Sequence, residues 1–353
     1  MSVATRDYRL RDAGTAEAWR GDAGSEVVTV VIPARDEEGF IGPCLDSVLA
    51  QDEWNLQVIV VDGASRDRTS EVVRDYMRRD PRVELLDNPD GRIPTALNLA
   101  LAAARGRWLV RVDAHSTIPP SYVSSLVSHL RTGKWGGVGS RKDGVGSTPA
   151  GRAIASAMAS PFGVGGSRYH YGTRVQPVDH VPFGAYPTRL VRRIGGWDER
   201  LAANEDFELD YRIRKTGRSL LLDPSVAIAW RCRQSFGDFF RQYLRYGRAK
   251  ARVARLHPAS LRPRHLASPA LVGSWAAALA LSVRWPWLLA LVVLPYAVAL
   301  TVASLAAARK ASHRASPPLI AAAFLTMHAG WGMGFWQGLG DMLRDALRRI
   351  RRR

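Results

Sequence analysis

The sequence predicts an α/β domain with a mainly parallel sheet, followed by an amphipathic interface helix and C-terminal transmembrane helices. Three observations predict it. Short β-branched apolar runs alternate with helix-period segments between Val27 and Asp113. The basic charge is concentrated late: from Arg231 onward there are 20 Lys+Arg against three acids, while residues 1–230 hold 30 basic and 29 acidic side chains. Long apolar stretches lie inside that basic region. The remaining composition sets bounds. With 46% hydrophobic and 23% charged residues in 353, wholesale disorder, collagen and coiled coil are excluded. Two cysteines, Cys44 and Cys232, exclude a disulfide scaffold and a thiolate zinc site. A net charge of +18 would suit nucleic acid, but here it surrounds apolar segments, so the expected partner is a membrane surface and not nucleic acid.

The elements follow in order. Residues 1–25 are polar, lack the apolar core of a signal peptide and read as a flexible arm. The ordered domain is expected from Glu26, starting on the cytoplasmic side. Val27–Ile32, stopped by Pro33, reads as a buried parallel strand. Residues 40–51 have helical spacing (Ile41, Leu45, Val48, Leu49), and Gln57–Val61 is a second strand ending at Asp62. A helix is expected over Ser65–Arg78 with Ser65 or Asp67 as its N-cap, then a strand at Val83–Leu86. Pro94–Arg105 reads as a helix and Arg107–Val112 as a strand ending at Asp113. In parallel α/β sheets, ligands bind beyond the carboxyl ends of the strands. Polar residues stand at three such ends: Arg35 to Glu38, Asp62 with Ser65, and Asp113 with His115.

Each chemical stretch also has a plain structural reading. Asp62 could accept hydrogen bonds from a nucleobase or ribose, or could belong to a capped helix start. Asp113 and His115, at i and i+2 of an extended chain, point the same way and suit Mn²⁺ or Mg²⁺ held partly by substrate phosphates. Arg111 faces that side too and could pair with the acid or with a diphosphate. Glu205 and Asp206 open a helix that runs through Arg214 and closes at Gly217. Acids in a first helical turn are favoured by the dipole, yet adjacent carboxylates near a substrate also suit a general base.

From Arg231 to Arg264 there are ten Lys+Arg and one acid, interleaved with aromatics, as in an amphipathic helix on an anionic leaflet. Three apolar segments follow, at about residues 265–283, 285–308 and 317–340. The third starts with Pro317-Pro318 and contains Gly330, Gly332, Gly334, His328 and Gln337. The expectation is two crossings, with this third segment re-entrant or interfacial, so that Arg309-Lys310 and the arginine tail both stay inside.

Taken in order, these stretches resemble the family 2 glycosyltransferases with a GT-A-type nucleotide-sugar fold. The likeness rests on Val31–Glu38, Val61–Thr69, Asn88–Asn98, Arg111–His115, Phe183–Tyr186, Gly195–Asp198 and Glu205-Asp206, and spans about residues 26–255. Among relatives, it is nearest to membrane-associated enzymes of bacterial exopolysaccharide assembly, of the succinoglycan type. The resemblance implies that Pro33, Arg35 and Glu37 line the nucleotide pocket, with Asp62 on the base and Arg92 near the diphosphate or the donor sugar. It implies that Asp113, with His115 as a conditional ligand, binds the metal, and that Asp206 is the base with Glu205 beside it. Gln242, Arg245 and Tyr246 match its Q-x-x-R-W pattern, with Tyr in place of Trp. Gly63 stands where many relatives carry a second acid, and His115 replaces the second acid of a D-x-D motif. The implied activity is inverting sugar transfer from a nucleotide-diphosphate sugar to a polyprenyl-linked acceptor, by a multi-pass plasma-membrane protein with a cytoplasmic catalytic domain. A polyprenyl-phosphate sugar synthase, or an inactive nucleotide-sugar-binding relative, is the alternative. The expected layout is a 1–25 arm, a 26–230 catalytic domain, a 231–264 juxtamembrane segment, a 265–340 membrane region and a 341–353 basic tail.

Overall fold

The computed structural model describes residues 26–53, 55–310 and 315–350; the expected arm at 1–25 and the last three residues of the tail lie outside them. The chain divides into two compact units, residues up to 141 with 172–228, and residues 142–171 with 229 onward.

In the first unit, β1 (Val28–Ala34), α1 (Ile41–Leu49), β2 (Leu56–Asp62), α2 (Thr69–Arg79), β3 (Val83–Asp87), α3 (Ile93–Ala103) and β4 (Trp108–Arg111) alternate as the periodicity predicts. β1 and β2 are buried almost throughout, as expected for strands covered on both faces. Then come β5 (Ser116–Thr117), α4 (Tyr122–Arg131) and β6 (Trp135–Val145), the last running into the second unit. The second unit supplies α5 (Pro149–Met158) and α6 (Pro161–Val164). The chain returns through β7 (Gln176–Val178), β8 (Ala185–Pro187), α7 (Thr188–Arg193), α8 (Glu205–Lys215) and β9 (Ser219–Arg231). The sheet order is β3-β2-β1-β4-β8-β6-β9-β5, with β7 paired to β9. β3, β2, β1 and β4 are mutually parallel, and β8 joins β4 antiparallel. A core of Val31, Ile59, Leu97, Leu101, Leu109, Tyr186, Trp197, Leu209 and Ile213 fills one face.

One boundary differs from expectation. The helix after β2 starts at Thr69 and not at Ser65, and its N-cap residue Arg68 makes no side-chain cap. Ser65 is engaged elsewhere, while Asp67 does serve the helix start, its Oδ1 accepting from Thr69 N at 3.0 Å. Ser65 Oγ accepts from the Asp36 backbone at 2.9 Å, Asp36 accepts from Arg66 N at 2.7 Å, and Glu37 N donates to Thr69 Oγ1 at 2.8 Å. Reciprocal side-chain to backbone bonds thus fasten the loop after β1 to the loop after β2, competing with helix formation.

The second unit contains α9 (Phe236–Leu256), α10 (Pro263–Leu281), α11 (Trp287–Lys310) and α12 (Pro317–Ile350). Ser235 caps α9 by accepting from Asp238 N at 3.1 Å. α11 and α12 are long and apolar enough to cross a membrane; α11 is almost bare and α12 half covered. Residues 317–340, expected as re-entrant or interfacial, lie in one unbroken helix, a shape an interfacial segment can also take, and residues 341–350 of the expected tail continue it. The glycines of this segment are packing contacts. A β-carbon at Gly334 would overlap the Leu244 carbonyl, and one at Gly338 would lie 2.7 Å from the Arg248 carbonyl. On the facing helix, a β-carbon at Gly247 would overlap the Trp331 carbonyl. α9 and α12 therefore meet backbone to backbone, as small-residue helix pairs do. Arg248 Nε on Asp341 Oδ2 at 2.6 Å extends the contact.

Replacing Gly334 by Ala raises helix propensity by about 1 kcal/mol, yet it should lower the thermal midpoint of the detergent-solubilised protein by several degrees, because overpacking costs about 1–3 kcal/mol. A midpoint equal to or above the parent's would show that α9 and α12 are not in backbone contact.

Candidate active site

The predicted site residues of the first unit lie along the carboxyl edge of the parallel strands. Pro33 is in β1, opposite Val61. Asp62 ends β2, opposite Ala34, and its carboxylate accepts from the Ser65 N–H and hydroxyl. Gly63 closes tightly on β1, its N–H donating to Ala34 O at 2.7 Å. A β-carbon there would lie 3.3 Å from Arg35 Cβ and 3.5 Å from Gly91 Cα. The loops after β1, β2 and β3 thus touch at Arg35, Gly63 and Gly91. Gly91 has a positive φ of 65° and faces the Arg35 guanidinium. Arg92, at the start of α3, pairs with Asp90 at 2.8 Å and donates to Glu199 O at 2.9 Å.

Next along the edge, His115 Nδ1 lies 2.9 Å from Glu37 Oε1, joining the loop after β1 to the end of β4. Asp62 and Asp113 stand on opposite sides of β1, two strand spacings or roughly 10 Å apart.

Arg111 decides the rest. The sequence left it two partners, and the structure gives it the acids. Nη2 binds Asp113 Oδ1 at 3.2 Å, while Nη1 binds Glu205 Oε1 at 3.1 Å and Asp206 Oδ2 at 2.7 Å. Only 4% of its side chain is exposed. The Phe183 ring covers the guanidinium at 5.2 Å, from a backbone with φ of 53°. Burial opposes the Arg111 charge, but Asp206, then Asp113 and Glu205, hold it and raise its pKa well above normal. Burial raises the Glu205 carboxyl above the ordinary glutamate range; Arg111 opposes this and Asp206 adds to it. Burial thus works against the charged form of Glu205.

α8 brings both carboxylates to this point. Asn204, with φ of 61°, turns the chain into the helix, and acids in the first turn suit its dipole. One turn on, Asp210 is fully buried. It accepts from Val181 N at 2.8 Å and Tyr186 Oη at 3.0 Å, and lies 2.7 Å from His180 Nδ1. Burial raises its carboxyl despite these partners. Sequence reading missed Asp210, and within the Gly195–Asp198 stretch it gave no role to Trp197, whose Nε1 donates to Asp206 Oδ1 at 3.0 Å. No local pattern marks either contact.

Among the described residues, no three His, Cys, Asp or Glu side chains form a ready-made metal cage. Asp113 and His115 are the donor types a divalent ion takes alongside a diphosphate, and here Asp113 Oδ1 is bonded to Arg111 and His115 Nδ1 to Glu37. Three carboxylates face one guanidinium, so the cluster stays negative even when Glu205 is protonated. The three other predicted residues stand on α9 in the second unit. Gln242 is buried and donates to Tyr246 Oη at 3.2 Å, and Arg245 is exposed, 5.9 Å from the Tyr246 ring centre.

The sequence profile described as "Glycosyl transferase family 2" matches residues 29–194. The Succinoglycan biosynthesis protein ExoA of Rhizobium meliloti is 32% identical over 321 residues, covering 89% of this chain and 96% of that protein. The chain belongs to glycosyltransferase family 2. A second relative is the Dolichyl N-acetyl-alpha-D-glucosaminyl phosphate 3-beta-D-2,3-diacetamido-2,3-dideoxy-beta-D-glucuronosyltransferase of Methanococcus voltae. It is 22% identical, covering 65% of this chain and 74% of that protein. Among solved structures, the mannosyltransferase PcManGT from Pyrobaculum calidifontis, in complex with GDP-Man and Mn2+, superposes with a TM-score of 0.64 at 22% identity. It covers 92% of this chain and 93% of that one, so this glycosyltransferase has the GT-A-type fold.

Truncating Arg111 to Ala leaves carboxylates buried without their cation, and should cost about 3–5 kcal/mol of stability and abolish turnover. Arg111→Lys should recover part of the stability but little turnover, because a point charge cannot fork between acids on two elements. Thermal unfolding and single-turnover assays check both; a stable, active alanine variant would remove Arg111 from the organising role.

Proposed function

We propose that this glycosyltransferase moves a sugar from a nucleotide-diphosphate sugar to a hydroxyl of a polyprenyl-linked acceptor, inverting the anomeric centre, during assembly of a cell-surface polysaccharide. The observation that carries this reading is the single cluster in which Arg111 holds Asp113 together with Glu205 and Asp206. The succinoglycan relative, similar over nearly its whole length, supports the pathway class. The archaeal relative, whose name carries a dolichyl-linked sugar phosphate, supports the acceptor class.

The roles follow from position and charge. Pro33, Arg35 and Glu37 flank the nucleotide, Asp62 accepts from its base, and Arg92 meets the diphosphate. Asp113 and His115 would hold Mn²⁺ or Mg²⁺, which when bound offsets the charge that builds on the departing diphosphate. Asp206 takes the proton of the acceptor hydroxyl. The hydroxyl oxygen bonds to the anomeric carbon from the face opposite the leaving diphosphate. The old bond from that carbon to the phosphate oxygen breaks, and its electron pair leaves with the nucleoside diphosphate. Arg111, bonded to both Glu205 and Asp206, limits the repulsion between them.

The second unit serves the acceptor. α9 buries Phe239, Gln242, Tyr243 and Gly247 and exposes Arg241, Arg245, Arg248, Arg252 and Arg255. This basic face suits anionic headgroups at the cytoplasmic leaflet, and Gln242, Arg245 and Tyr246 suit the acceptor's phosphates. α11 and α12 make the membrane-embedded part, and the α12 end bearing Asp341 stays with the α9 surface through Arg248.

A panel of nucleotide sugars with lipid-linked acceptors and Mn²⁺ or Mg²⁺, read by mass spectrometry, tests the reading; donor hydrolysis without transfer to any lipid would defeat it. Asp206→Asn should lower turnover by about 10²–10⁴-fold while donor binding survives, and near-normal turnover would remove Asp206 as base. Asp113→Ala should abolish the Mn²⁺-dependent gain in nucleoside-diphosphate affinity measured by calorimetry. Equal affinity gains in the parent and the variant would contradict the metal assignment.

A further inference from the structure

We infer that Trp197, locked by Asn98, is a positioning residue that fixes the Asp206 carboxylate for proton removal; the inference rests on reading Asp206 as the base. The structure gives Asp206 a separate donor on each oxygen. Trp197 Nε1 donates to Oδ1 at 3.0 Å and Arg111 Nη1 to Oδ2 at 2.7 Å. A carboxylate gripped at both oxygens from different elements cannot turn freely about its last torsion. Its remaining lone pairs therefore keep one direction, which is what near-attack geometry requires.

Trp197 is itself held on all sides. Its indole is buried in the core with Leu97, Leu101 and Tyr186, meeting the Tyr186 ring edge to face at 6.5 Å. Its backbone is clamped by one side chain: Asn98 Oδ1 accepts from Trp197 N at 2.8 Å and Nδ2 donates to Trp197 O at 2.9 Å. The turn before it needs glycine twice. Gly195 and Gly196 have φ of 87° and 70°, and a β-carbon on Gly196 would overlap Asn98 Oδ1. From α8, Arg212 donates to Ile194 O at 2.7 Å and Gly196 O at 2.6 Å. The helix that bears Asp206 thus grips the turn whose tryptophan reaches back to Asp206.

The same strap reaches the donor side. Asn98 Nδ2 bonds Glu199 Oε1 at 2.8 Å, and Arg92 donates to Glu199 O at 2.9 Å. Residues 195–199 therefore connect the arginine assigned to the diphosphate with the carboxylate assigned to the acceptor. The other charged or titratable groups facing Asp206 are Arg111 from β4, Glu205 beside it, Asp210 a turn away on α8, and Tyr186 from β8.

The test compares full-length Trp197→Phe, Asn98→Ala and Asp206→Asn in detergent or nanodiscs, measuring kcat, donor KM, the pH profile of kcat and thermal midpoint. Trp197→Phe keeps the ring and removes the N–H. It should lower kcat about tenfold or more with donor KM within about twofold. The acidic limb of kcat should move to higher pH, because the charged carboxylate loses a donor that favours it. Asn98→Ala, at a partly exposed position, should move the limb the same way, and it decides the matter alone if the phenylalanine variant does not fold. An unmoved limb in a folded variant, with kcat following only the thermal midpoint, overturns the positioning role. Near-normal turnover of Asp206→Asn overturns the base assignment instead.

Discussion

The buried Arg111 guanidinium is the interaction on which the site depends. A cation with only 4% of its side chain exposed survives because acids from two distant parts of the chain neutralise it. Those acids in turn could not crowd together without it. The mutual requirement joins the end of β4 to the first turn of α8, although 94 residues separate Arg111 from Glu205. The favourable helix dipole at that turn adds to the attraction, and Phe183 keeps water from one face of the arginine.

Around this pair, the rest of the edge is built by loops bonded to loops. The segments after β1 and β2 exchange hydrogen bonds through Asp36, Ser65 and Thr69, and glycines at 63 and 91 let a third loop approach. Glu37 then reaches His115. The departures from the family pattern make sense in this setting. Gly63 gives up a carboxylate but admits Arg35, and an imidazole at 115 can meet Glu37 where a second acid would be repelled.

Much of this was readable beforehand, for identifiable reasons. β1, β2 and β4 are apolar runs with no competing pattern, and the rule that parallel sheets place function at their carboxyl ends pointed to Asp62 and Asp113. The adjacent Glu205 and Asp206 stood out as a pair. What was hidden depends on contacts far apart in sequence. Nothing near Trp197 tells that its indole meets a carboxylate, or that Asn98, 99 residues earlier, holds its backbone. Asp210 looks like an ordinary helix acid until Tyr186 and Val181 are folded against it. Ser65 and Asp67 both have the composition of an N-cap; Asp67 does hold the helix's first N–H, but the Asp36 backbone and the Asp62 carboxylate take Ser65. The packing role of the α12 glycines was hidden too, because local propensity cannot see the opposing helix.

That row of glycines also limits how the second unit can respond to its surroundings. Helices that touch through bulky side chains can slide as rotamers change, but interlocked main chains such as those of α9 and α12 have no such slack. With α12 read as a membrane span, a bilayer thinner or thicker than it prefers would tilt the two helices together and not shear one past the other. The arginine face of α9 would then follow the inclination of α12, so lipid thickness would set the angle at which those guanidinium groups meet the headgroup layer.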